Sequence, residues 1–370
     1  MKKVLILANS SKGVYGFRNE LVLKMLHEYE VFVSVPDEVC TAELQEEGCR
    51  IIQTPINRRG MNPVEDFKLL LTYQKLQKEI NPDITLTYTI KPSIYGGFVS
   101  RLRKTPYMTT ITGLGSAMEG DGILQKLTTL LYRISMKRAE CIFFQNETNQ
   151  KIFENRNIKG KMQKRVSGSG VDLLHFQYME MPKTNAVRFV FVSRILKEKG
   201  IEEYLKAAKI IKEKYADTEF WVLGKCEEAY EEQLRQLQEQ KVISYFGMQK
   251  DVRKYLKDVH CLVHPSFYPE GMSNVCLEAA ACGRAVITTK RTGCKETVDD
   301  GITGYLVDER NVPQLADAME RFILLSKEEQ ALMGKDARKK VEKEFDRRIV
   351  TETYMDMIHT ILKDKNVGKE

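Results

Sequence analysis

The sequence VHPSFYPEGMSNVCLEAAACG, from Val263 to Gly283, predicts a strand, a loop and a helix in succession. An apolar run that begins at Cys261 ends in a loop with two prolines and a glycine, and from about Asn274 the composition is helical. Ser273 can cap the helix, because its hydroxyl can accept a hydrogen bond from a backbone N–H group two or three residues further on. Such a unit directs free N–H groups and the positive end of the helix dipole at the loop, which favours an anionic ligand.

Two carboxylates, Glu270 and Glu278, lie on either side of this expected anion site. A diphosphate cradle flanked by two hydrogen-bond acceptors suits a sugar nucleotide, which has phosphates in the middle and hydroxyl groups at both ends. The alternative is that Glu270 is a solvated loop residue and Glu278 a surface residue of the helix. Taken alone, the stretch leaves both interpretations open.

The composition is typical of a soluble chain with room for two domains: 370 residues, 42% hydrophobic and 29% charged. No apolar run approaches the roughly 20 residues that span a bilayer. The apolar run after the basic start MKK is short for a signal peptide and fits a buried first strand. Eight scattered cysteines without a C-x-x-C pair indicate reduced core residues, so we expect a cytoplasmic protein without disulfides or a zinc site.

The positive charge is concentrated in the first half of the chain. Residues 1–183 hold 26 Lys/Arg and 19 Asp/Glu, whereas residues 184–370 hold 32 of each. Unless this is chance scatter, the first half meets an anionic partner such as a phosphorylated substrate, a membrane surface or nucleic acid. The amphipathic run Ile123–Ala139 carries four basic residues and predicts either a helix on an anionic bilayer or an ordinary packed helix with a solvated face. No basic patch with interleaved aromatic residues is present, which argues against a nucleic-acid partner.

Apolar runs and amphipathic segments alternate through the chain in a β-α repeat that starts again near residue 189. This pattern predicts an α/β fold with two doubly wound, Rossmann-like domains whose strand ends face each other across a cleft. We expect an N-terminal domain at residues 1–180 and a C-terminal domain at residues 185–345, with a last helix near 348–365 that packs back on the first domain. The segment Asn9–Gly16 is expected to be a glycine-bearing loop before a helix at Phe17–His27.

Two cations come at the start of the second domain, in FVSRILKEKG. Arg194 follows a strand and Lys199 precedes a helix, so both can neutralise a diphosphate, although each could instead be an exposed surface residue. The chain contains no D-x-D, and its one H-x-x-x-H, His260 to His264, coincides with the strand-like run that begins at Cys261. Histidines four residues apart on a strand are about 13 Å from each other, too far to share a metal ion, whereas on a helix they could. We therefore expect no metal ion and no cofactor, with a leaving diphosphate stabilised by the two cations and the helix N–H groups.

Together these motifs resemble a GT-B glycosyltransferase of family 4. The resemblance rests on the glycines at Gly13–Gly16, SGSGVD ending at Asp172, Phe191–Gly200, and the E-x7-E of Glu270 and Glu278. It covers nearly the whole chain, and its specific part is the E-x7-E with the upstream Arg/Lys pair.

Two further segments, TYTIKPSIYGG (Thr87–Gly97) and TITGLGSAMEG (Thr110–Gly120), resemble a bacterial subgroup that builds capsular, exopolysaccharide or lipid-linked oligosaccharide units. The lipid-linked N-acetylgalactosaminyltransferases are similar in pattern. The resemblance implies metal-independent transfer with retention, from a UDP-linked sugar to a polyprenyl-diphosphate-linked sugar. It places the enzyme in the cytoplasm, peripherally at the inner face of the membrane.

The resemblance also implies roles for individual residues. Glu270 would contact the donor sugar hydroxyls and Glu278 the ribose, while Arg194 and Lys199 would hold the diphosphate. Catalytic roles fall to Glu270, Arg194 and Lys199. The implied donor-binding residues are Gly16, Arg194, Lys199, Glu270, Met272, Ser273, Asn274 and Glu278.

The chain departs from the family pattern at Thr110–Gly115, where many members have a histidine and this sequence has none. Thr112, or the backbone at Gly113, would have to replace that contact. Lys91 is a candidate for the acceptor phosphate, with an ordinary surface lysine as the rival interpretation. Arg18 is a weaker candidate for the same role, as is the pair Arg58-Arg59.

Two other functions fit the same architecture. A sugar-nucleotide 2-epimerase would need acidic and histidine acid–base residues, and few histidines are placed for this. A non-catalytic sugar-nucleotide-binding protein would not need the complete set of Arg, Lys and two Glu.

Overall fold

The computed structural model describes residues 1–57, 62–115, 118 and 122–367, with residues 364–367 as backbone alone. The chain divides into two compact units, one of Met1–Gly170 with the segment from Arg347 onward, and one of Val171–Asp346. Residues 171–180, expected in the first domain, belong to the second unit. They do so because Val171 bridges to the end of that unit, where its N–H donates to the Phe345 carbonyl over 2.8 Å.

The first unit contains a parallel sheet with the order β3-β2-β1-β4-β5-β6-β7. Its strands are β1 Lys2–Leu7, β2 Tyr29–Val35, β3 Arg50–Gln53, β4 Ile84–Tyr88, β5 Tyr107–Ile111, β6 Cys141–Phe144 and β7 Gln163–Arg165. Five of these strands are central, and their near-continuous burial explains why they appear in the sequence as unbroken apolar runs.

Helices cover both faces of this sheet. They are α1 Ser11–Glu28, α2 Thr41–Glu46, α3 Pro63–Ile80, α4 Gly97–Arg103, α5 Ile123–Met136, α6 Glu147–Asn155 and α13 Arg347–Val367, with a π-helical turn at Pro92–Gly96 before α4. One face packs against α1 and the last helix, α13, whose Tyr354, Ile358 and Leu362 enter that core. The other face packs against α3, α4, α5 and α6.

The second unit repeats the arrangement with the parallel order β10-β9-β8-β11-β12-β13. Its strands are β8 Arg188–Val192, β9 Glu219–Leu223, β10 Ser244–Tyr245, β11 Cys261–His264, β12 Ala285–Thr289 and β13 Gly304–Val307. Its helices are α7 Ile201–Lys214, α8 Glu231–Glu239, α9 Arg253–Leu256, α10 Asn274–Ala281, α11 Val312–Leu324 and α12 Lys327–Glu344. Helices α7, α8 and α11 cover one face of the sheet, and α9, α10 and α12 the other.

Both described sheets are therefore parallel and covered on both faces, and the prediction of two doubly wound α/β domains is confirmed. The eight cysteines are free, six of them buried, as expected for reduced core residues. No helix in the described part of the chain is long and apolar enough to cross a membrane.

The start of α1 differs from the sequence prediction. The expected loop at Asn9–Gly16 is wrong, because α1 begins at Ser11 and Gly16 lies inside the helix. Ser10 occupies the N-cap and accepts a hydrogen bond from a first-turn N–H over 3.3 Å. A glycine in a helix interior costs about 1 kcal/mol relative to alanine, and the cap and the buried Val14 offset this.

Gly200 fixes how the connection after β8 meets the connection after β11. Its φ is +79°, in the left-handed region, at the junction between a 3-10 turn (Lys197–Lys199) and α7. A Cβ atom here would collide with the carbonyl oxygen of Pro265. Only glycine combines this backbone conformation with so close an approach.

We expect Gly200→Ala to lower the free energy of unfolding by at least about 2 kcal/mol, since the left-handed conformation alone costs about 1–2 kcal/mol and the collision with Pro265 adds to it. The matched control is Gly16→Ala, where a Cβ meets nothing within 4 Å and helix propensity predicts a gain of about 0.5–1 kcal/mol. Urea unfolding of both variants checks the pair. Equal effects would contradict the assigned backbone roles.

Candidate active site

Two loops at one edge of the second sheet carry the candidate site. The 3-10 turn Lys197–Lys199 follows β8, and the loop with Glu270 follows β11. They are joined by the backbone, because the Phe267 N–H donates to the Glu198 carbonyl over 2.9 Å. Parallel strands end at the same edge of a sheet, so this backbone hydrogen bond joins two loops that are distant in the sequence into one site.

Lys199 and Glu270 form the centre of the site. Lys199 Nζ lies 3.0 Å from Glu270 Oε2, and the two side chains are 8% and 19% exposed. On the other carboxylate oxygen, His264 Nε2 lies 3.6 Å and Cys294 Sγ 3.7 Å from Glu270 Oε1. The alternatives of an exposed Lys199 and a solvated Glu270 are therefore wrong.

These neighbours decide the charge of Glu270. Burial alone would raise the pKa of its carboxyl, but the Lys199 ammonium and the His264 ring outweigh burial and lower the pKa of Glu270 to about 2. Burial lowers the pKa of His264 in turn, against the opposing effect of Glu270, so this imidazole is neutral. At working pH Glu270 is a fixed negative charge and a hydrogen-bond acceptor, not a proton donor.

The same cluster contains a possible metal-ligand set. One ligand atom from each of His264, Glu270 and Cys294 lies within 4.8 Å of the others. Spacing along the chain could not reveal this set, because Cys294 reaches Glu270 from the connection after β12. The Lys199 ammonium already compensates the Glu270 charge, and burial raises the pKa of the Cys294 thiol well above its ordinary value. This donor set therefore favours the resident ammonium over a divalent metal ion.

Arg194 lies beside Lys199, and an aromatic ring connects them. The Arg194 guanidinium is 5.5 Å and Lys199 Nζ 4.8 Å from the centroid of Tyr268. Arg194 also pairs with Glu227 over 3.0 Å, and its side chain is 42% exposed. The two cations thus share one ring, with Lys199 fixed inside the site and Arg194 open to solvent.

The N-terminus of α10 presents polar groups to the same loop. Ser273 occupies the N-cap position as predicted, but the expected capping bond from its hydroxyl is wrong, because Ser273 Oγ accepts none. Both Ser273 Oγ and Asn274 Oδ1 are buried without a hydrogen-bond partner among the described residues. Glu278 follows Asn274 by one helical turn on the same face. Met272 is 7% exposed in the core, so only its backbone is available to a ligand.

Arg18 is a buried cation of the first unit. It is 9% exposed, donates to Ser169 Oγ over 3.1 Å, and lies 4.2 Å from the centroid of the Tyr88 ring. No carboxylate of a described residue lies within ion-pair distance of it. A buried guanidinium without a carboxylate partner is an expected anion-binding group.

Lys91 is not a surface lysine. Its Nζ lies 2.7 Å from Asp66 Oδ1, and the two side chains are 14% and 12% exposed. The pair lines a cavity of about 560 Å³ together with Asn57 and Leu69. Because Asp66 compensates its charge, Lys91 enters the cavity as one member of a donor–acceptor pair and not as a free cation. Arg58 and Arg59 lie outside the described residues.

The loops after β4 and β5 lie side by side. Thr112 and Gly113 follow β5, where Gly113 has a φ of +146°. Thr89 follows β4 with a φ of +71°, which is strained for a β-branched residue. Thr110 lies within β5, two residues before Thr112, and its hydroxyl hydrogen-bonds to the Tyr354 hydroxyl over 2.6 Å. Where the family pattern has a histidine, this chain therefore places hydroxyl groups and glycine backbone.

Sequence reasoning missed three residues of the site: Tyr268, His264 and Cys294. Tyr268 and His264 lie within the stretch that predicted the site, in HPSFYPEG, so their position was a usable signal. Cys294 carried none, because its proximity to Glu270 arises from tertiary structure alone.

The fold and the site together define a class of protein. The second half of the chain, residues 180–340, matches the family model "Glycosyl transferases group 1", and residues 3–146 match "Glycosyl transferase 4-like". The chain belongs to the family 4 glycosyltransferases, and its two units are the paired Rossmann-like domains of the GT-B fold.

Solved structures show the same fold. A glycosyltransferase from Rickettsia africae superposes with a TM-score of 0.80 at 20% identity, over 98% of this chain and 99% of that one. HepE of Anabaena, solved with UDP and glucose, gives a TM-score of 0.79 at 16% identity, over 97% of this chain and all of that one.

Two characterised relatives are similar over nearly their whole length. One is the N,N'-diacetylbacillosaminyl-diphospho-undecaprenol alpha-1,3-N-acetylgalactosaminyltransferase of Campylobacter jejuni, 25% identical over 98% of this chain and 100% of that protein. The other is the capsular polysaccharide biosynthesis glycosyltransferase CapM of Staphylococcus aureus, 25% identical over 98% of both chains.

We expect Lys199→Met to destabilise the protein by an amount that depends on pH in a defined window. A Glu270 pKa of about 2, against an ordinary value of 4.5, stabilises the folded state above pH 4.5, and this contribution fades as the pH falls towards 2. At about 1.4 kcal/mol per pKa unit, its upper bound is roughly 3 kcal/mol. The variant should therefore lose about 2–3 kcal/mol at neutral pH, and the difference from wild type should shrink between pH 4.5 and 2.

Urea unfolding at a series of pH values measures this difference. Lys290→Met is the control, because its pair with Asp308 is 2.8 Å long but both side chains are about half exposed. A deficit of Lys199→Met that is the same at pH 7 and pH 3 would contradict the assigned charge state.

Proposed function

We propose that the protein is a retaining, metal-independent glycosyltransferase that moves a sugar from a UDP-linked donor to a lipid-linked saccharide. The observation that carries the proposal is the buried, ionised Glu270 held by Lys199 beside the N-terminus of α10, where the side-chain oxygens of Ser273 and Asn274 have no partner among the described residues. This arrangement places a negative acceptor for sugar hydroxyls next to a positive field for a diphosphate.

On the donor side, Lys199 and Arg194 hold the diphosphate together with the N–H groups at the start of α10. Ser273 Oγ and Asn274 Oδ1 lack partners among the described residues, so the Ser273 hydroxyl can donate to a phosphate oxygen and Asn274 Oδ1 can accept from a hydroxyl of the donor. Glu278, one turn further on, receives the ribose hydroxyls. Gly16 contributes by its exposed helix surface, which allows close approach to a phosphate because it has no side chain.

In the reaction, the bond between the sugar C1 and the β-phosphate oxygen breaks while the acceptor oxygen bonds to C1 on the same face. The electron pair of the broken bond remains on the phosphate oxygen, and the leaving diphosphate takes the acceptor's proton. Lys199 and the α10 N–H groups stabilise the charge that develops on the diphosphate. Glu270 stabilises the positive charge that develops at the sugar ring and stays ionised throughout, as its low pKa requires.

We assign acceptor binding to the first unit. Arg18, a buried cation without a described carboxylate partner, takes an acceptor phosphate. Lys91 with Asp66 offers hydrogen bonds to acceptor groups in their cavity, and Thr112 and Gly113 line the edge where the family pattern has a histidine.

The polyprenyl-diphosphate acceptor is supported by the Campylobacter relative, whose name specifies a diphospho-undecaprenol substrate, and CapM supports a role in surface polysaccharide assembly. Such an acceptor places the enzyme peripherally at the inner face of the membrane.

The structure places one histidine, His264, near Glu270, but this histidine is not accessible for the acid–base chemistry that an epimerase would need. His264 lies 3.6 Å from Glu270, yet it is 1% exposed, and burial keeps it neutral. A substrate proton could not reach it without displacement of the surrounding loop. Transfer to an acceptor therefore fits the site better than acid–base chemistry on the donor.

The two glutamates should separate donor binding from turnover. We expect Glu278→Gln to weaken UDP binding by about 10- to 100-fold, the loss of hydrogen bonds from a charged group. Glu270→Gln should leave UDP affinity within about threefold and reduce sugar transfer by about 10³-fold or more, as expected when a charge that acts in the transition state is removed.

Calorimetry with UDP and transfer assays with a panel of nucleotide sugars provide both numbers, and NMR of the anomeric proton reports retention. The exposed Glu239 of α8, changed to Gln, serves as the control. Full transfer by Glu270→Gln, or an inverted product, would sink the proposed mechanism.

Arg18→Gln should raise KM for the lipid-linked acceptor by about tenfold while the affinity for UDP stays unchanged. Its stability should stay the same or rise, because the change removes a buried charge that no described carboxylate compensates. Arg188→Gln is the structural contrast, since Arg188 pairs with Glu219 over 3.0 Å and should lose stability without a change in acceptor KM. A melting temperature that falls in Arg18→Gln with KM unaltered would assign Arg18 a structural role.

A further inference from the structure

Helix α5 packs with its polar face inward. The residues that it buries against the first unit are Thr128, Thr129, Tyr132, Ser135 and Met136. Most of its aliphatic residues point outward, with Leu124 46%, Leu127 44%, Leu130 49% and Ile134 36% exposed, whereas Leu131 packs partly buried against the core. A surface helix ordinarily buries its apolar stripe, so an outward leucine face indicates a contact that the described residues of the chain do not make.

The apolar face continues onto the neighbouring helices of the same layer. Helix α4 contacts α5 and contributes Leu102, which is 63% exposed. Helix α3 contacts α4 and contributes Val64, Phe67 and Leu71, at 63%, 59% and 48%. Twenty large hydrophobic side chains among the described residues are exposed, and nine of them lie on these three helices. We call this surface, formed by α3, α4 and α5, the leucine face.

Cations border the leucine face. The segments 97–104 and 123–138 contain seven basic residues and no acidic one: Arg101, Arg103, Lys104, Lys126, Arg133, Lys137 and Arg138. None of the seven forms an ion pair with a carboxylate in the described ranges. Arg101 and Arg133 donate instead to backbone carbonyls, of Ile134 over 2.6 Å and of Arg156 over 2.7 Å, which fixes them at the surface. Helix α3 adds equal numbers of acidic and basic residues (Glu65, Asp66 and Glu79; Lys68, Lys75 and Lys78), so the positive excess of the leucine face lies on α4, α5 and the residues directly after them.

We propose that the leucine face docks on an anionic lipid bilayer, with its aliphatic side chains at the boundary between headgroups and acyl chains and its cations on the lipid phosphates. The inference rests on the proposed function in that a lipid-linked acceptor gives the docking its purpose. A second copy of the chain is the weaker occupant, because two such faces would bring the positive excess of both copies together. A bilayer matches both the apolar centre and the basic border.

Vesicle sedimentation tests the apolar part. Wild type should bind vesicles of equal parts phosphatidylcholine and phosphatidylglycerol, and the double variant Leu127→Glu/Leu130→Glu should lose about tenfold or more in partitioning. Leu332→Glu, at a 54% exposed position of α12 in the second unit, is the matched control and should bind as wild type. Wild-type sedimentation by the double variant, or equal losses in the control, would overturn the proposal.

A second variant tests the charged part without touching an apolar residue. Lys126→Glu/Lys137→Glu should weaken binding to the anionic vesicles, wild-type binding should fall with added salt, and pure phosphatidylcholine vesicles should bind much less. Lys335→Glu, an exposed lysine of α12, is the control. Equal binding to neutral and anionic vesicles would refute the role of the cations.

Two further measurements separate the docking from the proposed chemistry. UDP binding by calorimetry should be the same in the leucine-face variants and in wild type, so a lost donor site would show there and not in sedimentation. A concentration-dependent dimer that Leu127→Glu/Leu130→Glu abolishes would identify a second copy as the occupant and overturn the bilayer assignment.

Discussion

The ion pair between Lys199 and Glu270 is the interaction on which the candidate site of the second unit depends. It connects the turn after β8 to the loop after β11, and the close approaches at Gly200 and Gly293 exist because these segments must meet there. A buried pair contributes little net stability when intact, but a single remaining partner is a large penalty. The pair therefore acts mainly as a constraint on geometry: with both members present, the carboxylate can occupy only one place.

The fold could be predicted from the sequence because the patterns that specify its strands and helices lie in short, continuous segments. Continuous apolar runs such as Val4–Leu7 and Cys261–Val263 are buried strands, and their regular alternation with amphipathic segments leaves few topologies besides two doubly wound units. The position of Glu270 next to a helix N-terminus follows from the strand–loop–helix pattern for the same reason. Prediction failed where two local signals competed, as at α1, where the cap at Ser10 prevailed over glycines that favour a loop.

Other features depend on tertiary structure and left no local trace. Cys294 reaches Glu270 from a loop that no spacing rule connects to it, and Asp66 compensates Lys91 across two separate elements. The orientation of α5 is the clearest example, because its leucine periodicity predicts a helix but not the side that faces the core. Periodicity gives the direction of an apolar stripe relative to the helix, and only the surrounding helices decide whether that stripe is covered.

The structure shows where the excess positive charge of the first half of the chain lies. The second unit, Val171–Asp346, holds 28 Lys/Arg and 30 Asp/Glu, and it compensates its key cations, with Arg194 paired to Glu227 and Lys199 to Glu270. The first unit leaves Arg18 and the border of the leucine face without described carboxylate partners. Unpaired charges are unfavourable for the folded state, and they are retained where a bound ligand of opposite charge compensates them. In this chain, we propose that those ligands are anionic groups of the acceptor and of the lipid surface around it, which would explain why the excess charge lies in the unit to which the acceptor is assigned.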